Sequence, residues 1–288
     1  MPLLLEHDAG VLVQGITGTY GDHYTRLMID YGTQVVGGVT PGKGGEWYHG
    51  RPIFDTMARA VEATDARISL VAVPPAFAAD AIFEAINAGI RTVVCITEKV
   101  PLRDALRVVQ YARLRRVTLL GPSAGGVIVP GVGMTGVIPP WVALPGTVGV
   151  VARGGSLFYY VMKQLTRAGI GQSVGVSLGG DDVVGTRFRD VLEMMESDPN
   201  TDRIVLLGEA GGYQEQEAAD YIRAAMTKPI VALVAGSKLL PNTRFGHSGC
   251  YVENVQESAE SKREILRQAG VQIATNPQHI IQLLYQFD

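Results

Sequence analysis

The stretch VLVQGITGTYG, from Val11 to Gly21, joins a short apolar run to a turn that contains three glycines. The apolar run is typical of a buried β-strand, and the glycines let the chain turn sharply with its N–H groups exposed. We expect a helix after the turn, so the turn lies at the positive end of a helix dipole, where an anion binds well. The stretch therefore predicts a parallel α/β sheet with a phosphate-binding turn.

A second glycine-rich turn, TPGKGG from Thr40 to Gly45, follows the next apolar run. Dinucleotide-binding domains have the spacing G-x-G-x-x-G and an acidic residue roughly 20 residues further on, which binds the adenosine ribose. Here the first turn has the spacing G-x-x-G-x-x-G, and Lys43 stands where the acid is expected. A lysine pairs with a phosphate on the ribose. Coenzyme A and NADP both carry such a phosphate, so these residues favour a phosphorylated adenosine and leave both ligands open.

Length and composition indicate a two-domain α/β protein. The chain has 288 residues, enough for two domains that each bury a core, with 47% apolar and 18% charged residues. A formal net charge of -3 gives no broad attraction to nucleic acid or to an anionic membrane. The cysteines, Cys95 and Cys250, lie far apart and are expected to be buried thiols. Without a membrane-length apolar run or a secretion signal, we expect a cytoplasmic location or its mitochondrial-matrix equivalent.

Short β-rich runs alternate with helical patterns along the chain, which is typical of parallel sheets with crossover helices. The expected strands of the first half are Val11–Val13, Gln34–Val39, Ile68–Val73, Arg91–Ile96 and Arg116–Leu120. Those of the second half are Thr147–Val151, Val174–Leu178, Arg203–Leu207, Ile230–Ala235 and Val271–Ala274. The glycine- and proline-rich segment 123–146 is predicted to be a linker with an edge hairpin, between a domain of residues 1–122 and another of residues 147–288.

Three turns at strand ends of the second half contain residues that can bind an anion or react. The first, Gly154-Gly155-Ser156, precedes a helical segment, so its N–H groups can bind an anion. The second places Glu209 on a glycine-rich turn, and the third places His247 between glycines. An accessible neutral imidazole is a competent nucleophile near its ordinary pKa of about 6.5, and a carboxylate such as Glu209 can hold its other nitrogen. The chain has no Cys/His cluster with metal spacing, so we expect no metal site.

Taken together, the motifs resemble the α subunit of succinyl-CoA synthetase, the succinate–CoA ligase family. The resemblance rests on QGITGTYG, VGGVTPGKGG, the Ile96-Thr97-Glu98 strand end, the GGD turn at 179–181, GEAGG and RFGHSG, in this order and spacing. It implies a Rossmann-like CoA-binding domain followed by a flavodoxin-like ligase domain with a phosphorylated histidine. It also implies an ATP-grasp-type β subunit that holds ATP or GTP with Mg, in an αβ or α2β2 assembly that forms acyl-CoA reversibly. The NADP alternative is removed by the resemblance.

The resemblance also assigns roles to residues. It implies that His247 is the phosphorylated histidine and Glu209 its carboxylate partner, and that Gly154, Gly155 and Ser156 bind phosphate. Tyr159 is implied to lie near the acid or the thiol. The residues implied to contact coenzyme A are Thr17, Gly18, Thr19 and Tyr20 at the phosphates, Lys43 at the adenosine end, and Ile96, Thr97 and Glu98 beside the cofactor.

The chain departs from the family pattern close to these pockets. The family usually has serines where Ala152 and Gly154 stand, and a glutamine where Tyr20 stands; its GPNCPG motif reads GPSAGG from Gly121 to Gly126. We therefore expect succinate as the acid by default, with malate or citrate next. An alternative hypothesis is a catalytically impaired CoA-binding subunit with a regulatory or structural role.

Overall fold

The computed structural model describes Leu5, residues 9–236, Asn242 and residues 246–287. The first half contains a parallel sheet with helices on both faces. Its strands and helices, in chain order, are β1 (Val11–Gln14), α1 (Thr19–Tyr31), β2 (Val35–Val39), β3 (Trp47–Tyr48), β4 (Arg51–Phe54), α2 (Met57–Thr64), β5 (Ile68–Val71), α3 (Pro75–Asn87), β6 (Thr92–Cys95), α4 (Leu102–Arg115) and β7 (Thr118–Leu120).

The strand order of this first sheet is β3-β4-β2-β1-β5-β6-β7. Apart from β3, which pairs antiparallel with β4, all neighbours are parallel. Without β3, the order is that of the Rossmann fold, and it reverses between β1 and β5. Ligands of such sheets bind at the carboxyl ends of the strands beside that reversal, which here is the turn after β1. The Rossmann-like arrangement expected for this half is confirmed.

The second half contains a second sheet of similar design. Its strands and helices are β8 (Gly126–Val129), β9 (Gly133–Gly136), β10 (Pro145–Ala152), α5 (Gly155–Arg167), β11 (Gln172–Ser177), α6 (Phe188–Ser197), β12 (Arg203–Glu209), α7 (Gln214–Ala225), β13 (Ile230–Ala235), α8 (Ala259–Gln268), β14 (Gln272–Ile273) and α9 (Pro277–Leu284). The order is β14-β13-β12-β10-β11-β8-β9. Its five parallel strands follow the flavodoxin order, as expected.

The segment 123–146 contains the expected hairpin, β8 and β9, and that hairpin extends the second sheet. Strand β8 pairs antiparallel with β11. The hairpin also contacts the first half: the Thr33 hydroxyl donates to the Met134 carbonyl at 2.8 Å and accepts from the Met134 N–H at 2.9 Å. The domain boundaries at 122 and 146 stay a prediction.

The carboxyl edges of the two sheets meet. The Gly121 N–H, just after β7, donates to the Leu178 carbonyl, just after β11, at 2.8 Å. The Gly185 N–H donates to the Gly121 carbonyl at 2.9 Å, and the Thr186 N–H donates to the Leu119 carbonyl at 2.8 Å. The end of β7 and the turn that follows it therefore lie against the loop that follows β11.

The strands expected from sequence occur within a few residues of their predicted ends, whereas the short strands β3 and β4 were not expected. Among the described residues, no helix combines the length and the apolar character needed to span a bilayer. Nor do the described residues contain a group of at least three His, Cys, Asp or Glu side chains arranged to hold a metal ion. Both cysteines are buried free thiols, and burial raises the pKa of Cys95 to about 12.

Candidate active site

The turn after β1 presents an uncapped helix start at the carboxyl edge of the first sheet. The N-cap of α1 is Gly18, and no side chain caps the helix. A Cβ at Gly21 would lie 2.0 Å from the Gly15 carbonyl oxygen, so only glycine permits this close turn. The predicted CoA-phosphate residues Gly18, Thr19 and Tyr20 are exposed here. The N–H groups of the first helical turn are therefore free to bind an anion.

The loop that carries Lys43 lies beside this turn. Gln14 at the end of β1 is paired with Val39 at the end of β2, and the Thr17 and Thr40 hydroxyl oxygens are 3.3 Å apart. Lys43 is exposed. The backbone N–H groups of its two neighbours, Gly42 and Gly44, both donate to Asp55 Oδ1, at 2.8 and 2.9 Å. Asp55, which sequence reasoning did not single out, thus fixes the loop on either side of Lys43.

The residues Ile96, Thr97 and Glu98 follow β6 at the same edge and face the second half. The Thr97 hydroxyl donates to the Val73 carbonyl at 2.7 Å, and the Thr97 carbonyl accepts from the Ser123 N–H at 3.0 Å. Glu98 is exposed, and its charge contributes to raising the pKa of His247. Glu98 is therefore near enough to His247 for its charge to act on the ring.

The second sheet brings His247 and Glu209 into direct contact. His247 Nδ1 is 2.9 Å from Glu209 Oε2, and the two side chains are 37% and 13% exposed. Because a carboxylate only accepts, Nδ1 carries the proton in this contact, and in the neutral imidazole this leaves the lone pair of Nε2 available. Among the described residues, Nε2 has no hydrogen-bond partner. Arg244 and Phe245 of the RFGHSG motif lie outside the described residues.

Glycines flank the His247 ring. A Cβ at Gly154 would lie 1.9 Å from His247 Cε1 and 2.7 Å from Nε2. A Cβ at Gly180 would lie 2.6 Å from Cγ and Cδ2 of the same ring. Gly154 is also the N-cap of α5, which has no side-chain cap, and Ser156 in its first turn is exposed. The imidazole therefore occupies a slot, which we call the glycine slot, against the uncapped start of α5.

Electrostatics make His247 a stronger base and Glu209 a stronger acid than usual. The hydrogen bond to Glu209 raises the pKa of His247 above 6.5, against an opposing effect of burial. Burial by itself would raise the pKa of Glu209, but the His247 hydrogen bond and the Arg153 charge lower it below 4.5. Burial also raises the pKa of nearby Asp181, whose Oδ1 accepts a hydrogen bond from Ser248 at 3.3 Å. Glu209 therefore stays ionised as the partner of His247.

Sequence reasoning gave no role to Arg153, a buried cation beside this contact. Its Nε lies 3.4 Å from Glu209 Oε1, and its Nη atoms donate to the carbonyls of Gly211 and Gly249, at 2.9 and 3.3 Å. Only 3% of its side chain is exposed. Arg153 thus joins the end of β10 to the Glu209 turn and to the loop of His247.

Tyr159 lies on α5 between the two groups of predicted residues. It is partly buried, and burial raises its pKa. Its hydroxyl faces Gly125, because a Cβ at that glycine would lie 2.8 Å from it, and Tyr24 of α1 is close enough for an electrostatic effect on it. The predicted residues therefore form one group at the first sheet and one at the second, with Tyr159 and Glu98 between them.

Two family models match the chain. The model described as CoA binding domain matches residues 6–99, and the model described as CoA-ligase matches residues 151–272. The first therefore contains the turn after β1, the Lys43 loop and Glu98, while the second contains the glycine slot, Glu209 and His247. The match of the second model covers the start of α5 and both partners of the 2.9 Å contact.

Named relatives align with nearly the whole chain. Succinate–CoA ligase [ADP-forming] subunit alpha 1 of Archaeoglobus fulgidus is 46% identical over 94% of this chain and 93% of its own length. The malate–CoA ligase subunit alpha of Methylorubrum extorquens is 43% identical over 96% of this chain and 95% of its own. A solved ATP citrate lyase from Methanothrix soehngenii, in complex with citrate and coenzyme A, superposes with a TM-score of 0.87 at 25% identity, covering 99% of this chain and 51% of that one.

The family models match the two halves of the chain that hold the two groups of residues. The named α-subunit relatives are identical to this chain at more than two fifths of the aligned positions. The order of the motifs, the Rossmann and flavodoxin strand orders and the contact between His247 and Glu209 agree with those matches. The chain therefore belongs to the succinate–CoA ligase α-subunit family of acid–CoA ligases.

Proposed function

We propose that this chain is the α subunit of a nucleoside-diphosphate-forming acid–CoA ligase in which His247 carries a phosphoryl group. The observation that carries the proposal is the contact between His247 Nδ1 and Glu209 Oε2 at 2.9 Å, with the ring partly exposed against the uncapped start of α5. This arrangement orients a free Nε2 lone pair beside backbone N–H groups that can bind a phosphoryl oxygen. The family to which the chain belongs supports the same assignment.

The chemistry that we propose proceeds in three displacements. Nε2 of His247 attacks the γ-phosphorus of ATP or GTP, a P–N bond forms, and the P–O bond to the nucleoside diphosphate breaks. A carboxylate oxygen of the acid then attacks phosphorus, and the P–N electron pair returns to Nε2. Finally the sulfur of coenzyme A attacks the acyl carbon, the C–O bond to phosphate breaks, and the thiol proton passes to phosphate or solvent.

Residues of this chain have defined tasks in that scheme. Glu209 holds Nδ1 and stabilises the positive charge that develops on the imidazole when Nε2 is phosphorylated. The N–H groups of Gly155 and Ser156 hold the phosphoryl oxygens. In the first half, the turn at Thr17 to Tyr20 holds the CoA phosphates, Lys43 pairs with the phosphate on the ribose, and the Ile96 to Glu98 segment leads the cofactor toward Tyr159.

The nucleotide and its Mg are proposed to bind on an ATP-grasp-type β subunit, in an αβ or α2β2 assembly. The names of the relatives as α subunits support a second subunit. We expect this chain alone to form no acyl-CoA and to do so when the β subunit is added. The location that we propose is the cytoplasm or the mitochondrial matrix.

The experiment that tests the proposal is labelling with γ-labelled ATP in the presence of the β subunit. We expect an acid-labile, base-stable label on the chain and none on a His247→Asn variant. His279→Asn is the matched control, because His279 lies on α9, where its Nδ1 contacts Thr275 rather than the glycine slot. A label that persists in His247→Asn would overturn the assignment.

Two alternatives are tested with the same two subunits. The impaired CoA-binding subunit is suggested by the missing hydroxyls at Ala152 and Gly154, and it predicts CoA binding without label on His247. For the acid, we propose succinate first, with malate and citrate next, because the relatives include proteins named for each. A panel of carboxylic acids assayed with the β subunit separates these by the rate of acyl-CoA formation.

A further inference from the structure

Two fully buried ionisable side chains lie behind the turn that carries Glu209, and the proposed chemistry does not use them. Lys262 lies on α8 and Glu215 lies in the first turn of α7; both side chains are 0% exposed. Lys262 Nζ is 2.5 Å from Glu215 Oε2. The penalty for removing two charges from water can exceed their attraction, so a buried ion pair is weak evidence of a stabilising role.

The pair holds the backbone of Glu209 on both sides. Glu215 Oε1 accepts a hydrogen bond from the Glu209 N–H at 3.0 Å, and Lys262 Nζ donates to the Glu209 carbonyl at 2.9 Å. The preceding residue, Gly208, leaves the space that this requires: a Cβ there would lie 2.8 Å from Glu215 Oε1. Both peptide groups of Glu209 are therefore fixed by one buried ion pair.

The network around Lys262 is complete. An ammonium group has three N–H donors, and the acceptors here are the Glu209 carbonyl at 2.9 Å, the Gly211 carbonyl at 2.5 Å and Glu215 Oε2 at 2.5 Å. The Gly211 carbonyl also accepts from Arg153 Nη1 at 2.9 Å, and Arg153 Nε lies 3.4 Å from Glu209 Oε1. Backbone and carboxylate of Glu209 are thus held by one connected set of buried charges.

We propose that Lys262 and Glu215 are positioning residues that hold the Glu209 carboxylate on Nδ1 of His247. Neither touches the reacting atoms; they act through Glu209. The consequence for phosphoryl transfer rests on the proposed function, whereas the effect on the contact between Glu209 and His247 does not.

The test measures the titration of His247 by NMR of the full chain with isotope-labelled histidine, its signal identified by its loss in His247→Asn. The charged groups that act on this ring are Glu209, Arg153, Glu98 and Asp181. In Lys262→Met, all four remain, but the Glu209 backbone loses its clamp. We expect the pKa of His247 to fall toward 6.5, because the Glu209 hydrogen bond that raises it is weakened. With the β subunit and γ-labelled ATP, we expect labelling to slow by about tenfold or more.

The matched control is Leu266→Ala, one turn further along α8. Leu266 is 0% exposed, like Lys262, and the substitution removes packing without a contact to Glu209. It should lower the melting temperature and leave the pKa of His247 unchanged. If Lys262→Met lowers the melting temperature in the same way and also leaves that pKa unchanged, the pair is merely structural and the proposal is wrong.

A second variant keeps the test decisive if Lys262→Met fails to fold. Glu215→Gln retains an oxygen that can accept from the Glu209 N–H, but it removes the charge that faces Lys262. The same fall in the pKa of His247 is expected, and an unchanged value overturns the proposal. Because the NMR titration needs no nucleotide, it decides the positioning role even if His247 of the unaltered protein takes no label and the proposed function fails.

Discussion

At the scale of single residues, the glycine slot links Gly154 to the position of the His247 ring. The ring of His247 lies where the side chain of any other residue at 154 would begin, since a Cβ would be 1.9 Å from Cε1. The missing hydroxyl and the ring position are therefore linked. The slot places Nε2 beside the uncapped start of α5, whose N–H groups are the phosphate ligands that we propose.

The substitution Gly154→Ala tests this link. A Cβ that close to Cε1 displaces the imidazole and separates Nδ1 from Glu209, and displacements of this size cost roughly 100-fold in rate. Labelling of His247 by γ-labelled ATP with the β subunit should fall by at least about tenfold. Binding of coenzyme A, measured by calorimetry on the same variant, should be unchanged because that site lies on the first sheet. Full labelling would show that the slot does not fix the ring.

The coupled ionisation of His247 and Glu209 predicts a stability that depends on pH. The raised pKa of His247 gives stabilisation that is complete below 6.5 and is lost as pH rises through the raised value. The lowered pKa of Glu209 gives stabilisation that is present above 4.5 and is lost as pH falls through the lowered value. The contact should therefore stabilise the fold most between these two ordinary values.

Glu209→Gln should accordingly lower the free energy of unfolding more at about pH 5.5 than at about pH 9. We expect the pH-dependent part to be about 1 kcal/mol, a small value because His247 is 37% exposed and screened by solvent. Denaturant unfolding at the two pH values measures it. Glu217→Gln serves as the control: Glu217 pairs with Arg187, which stays charged over this range, so its effect should be the same at both. Equal losses for Glu209→Gln would contradict the prediction.

At the scale of elements, the loop between β2 and β3 is held in one shape by the residue that follows β4. Asp55 Oδ1 accepts the N–H groups of Gly42 and Gly44, on either side of Lys43. A second carboxylate joins the β3–β4 hairpin to α1: Asp22 Oδ1 accepts from Tyr48 at 2.9 Å and contacts His49 Nε2 at 2.6 Å. The Lys43 loop and the start of α1 are thus connected through the β3–β4 hairpin as well as through the sheet.

Asp55→Ala should weaken the binding of coenzyme A about five- to tenfold, because two hydrogen bonds that order the Lys43 loop are lost. Binding of 3′-dephospho-CoA, which lacks the phosphate that we propose Lys43 to bind, should change much less. In Lys43→Ala, likewise, the affinity for coenzyme A should fall, whereas the affinity for 3′-dephospho-CoA should change much less. Asp55→Asn keeps one acceptor oxygen and should show a smaller loss. Calorimetric titration measures all of these affinities. An equal loss for both ligands in Asp55→Ala would mean that Asp55 does not act through Lys43.

At the scale of the whole molecule, the two halves are joined by a shared apolar core and by hydrogen bonds, and not only by the connecting segment. One buried apolar cluster contains Val13 and Met28 of the first half together with Met134 and Ile138 of the second. Thr33 adds a reciprocal pair of hydrogen bonds to Met134. The halves are therefore joined at this contact as well as at the carboxyl edges, where the Gly121 N–H donates to the Leu178 carbonyl.

Thr33→Val should lower the free energy of unfolding by about 2 kcal/mol, because it leaves the buried N–H and carbonyl of Met134 without their partner. Denaturant unfolding followed by fluorescence measures this, with Trp47 reporting on the first half and Trp141 on the segment that joins the second. Thr64→Val is the control: its hydroxyl bonds only within α2, so the loss should stay within about 0.5 kcal/mol. If Thr33→Val shifts neither signal, the hairpin contact does not couple the halves.

The sequence by itself determined the strand and helix pattern, the two glycine-rich turns, and the choice of His247 and Glu209 as candidate site residues. These features are local, because a glycine turn or an amphipathic period is determined by about a dozen neighbouring residues. The order and spacing of the motifs along the chain also indicated the family.

Only the tertiary structure decided that the hairpin 126–136 joins the second sheet and that Arg153, Lys262 and Glu215 surround Glu209. A weak signal existed, since Lys262 shares the apolar face of α8 with Ala259 and Leu266, where a charge is unexpected. Its partners, however, come from segments about 50 residues away in sequence, and burial, not any local pattern, determines which distant charges must meet.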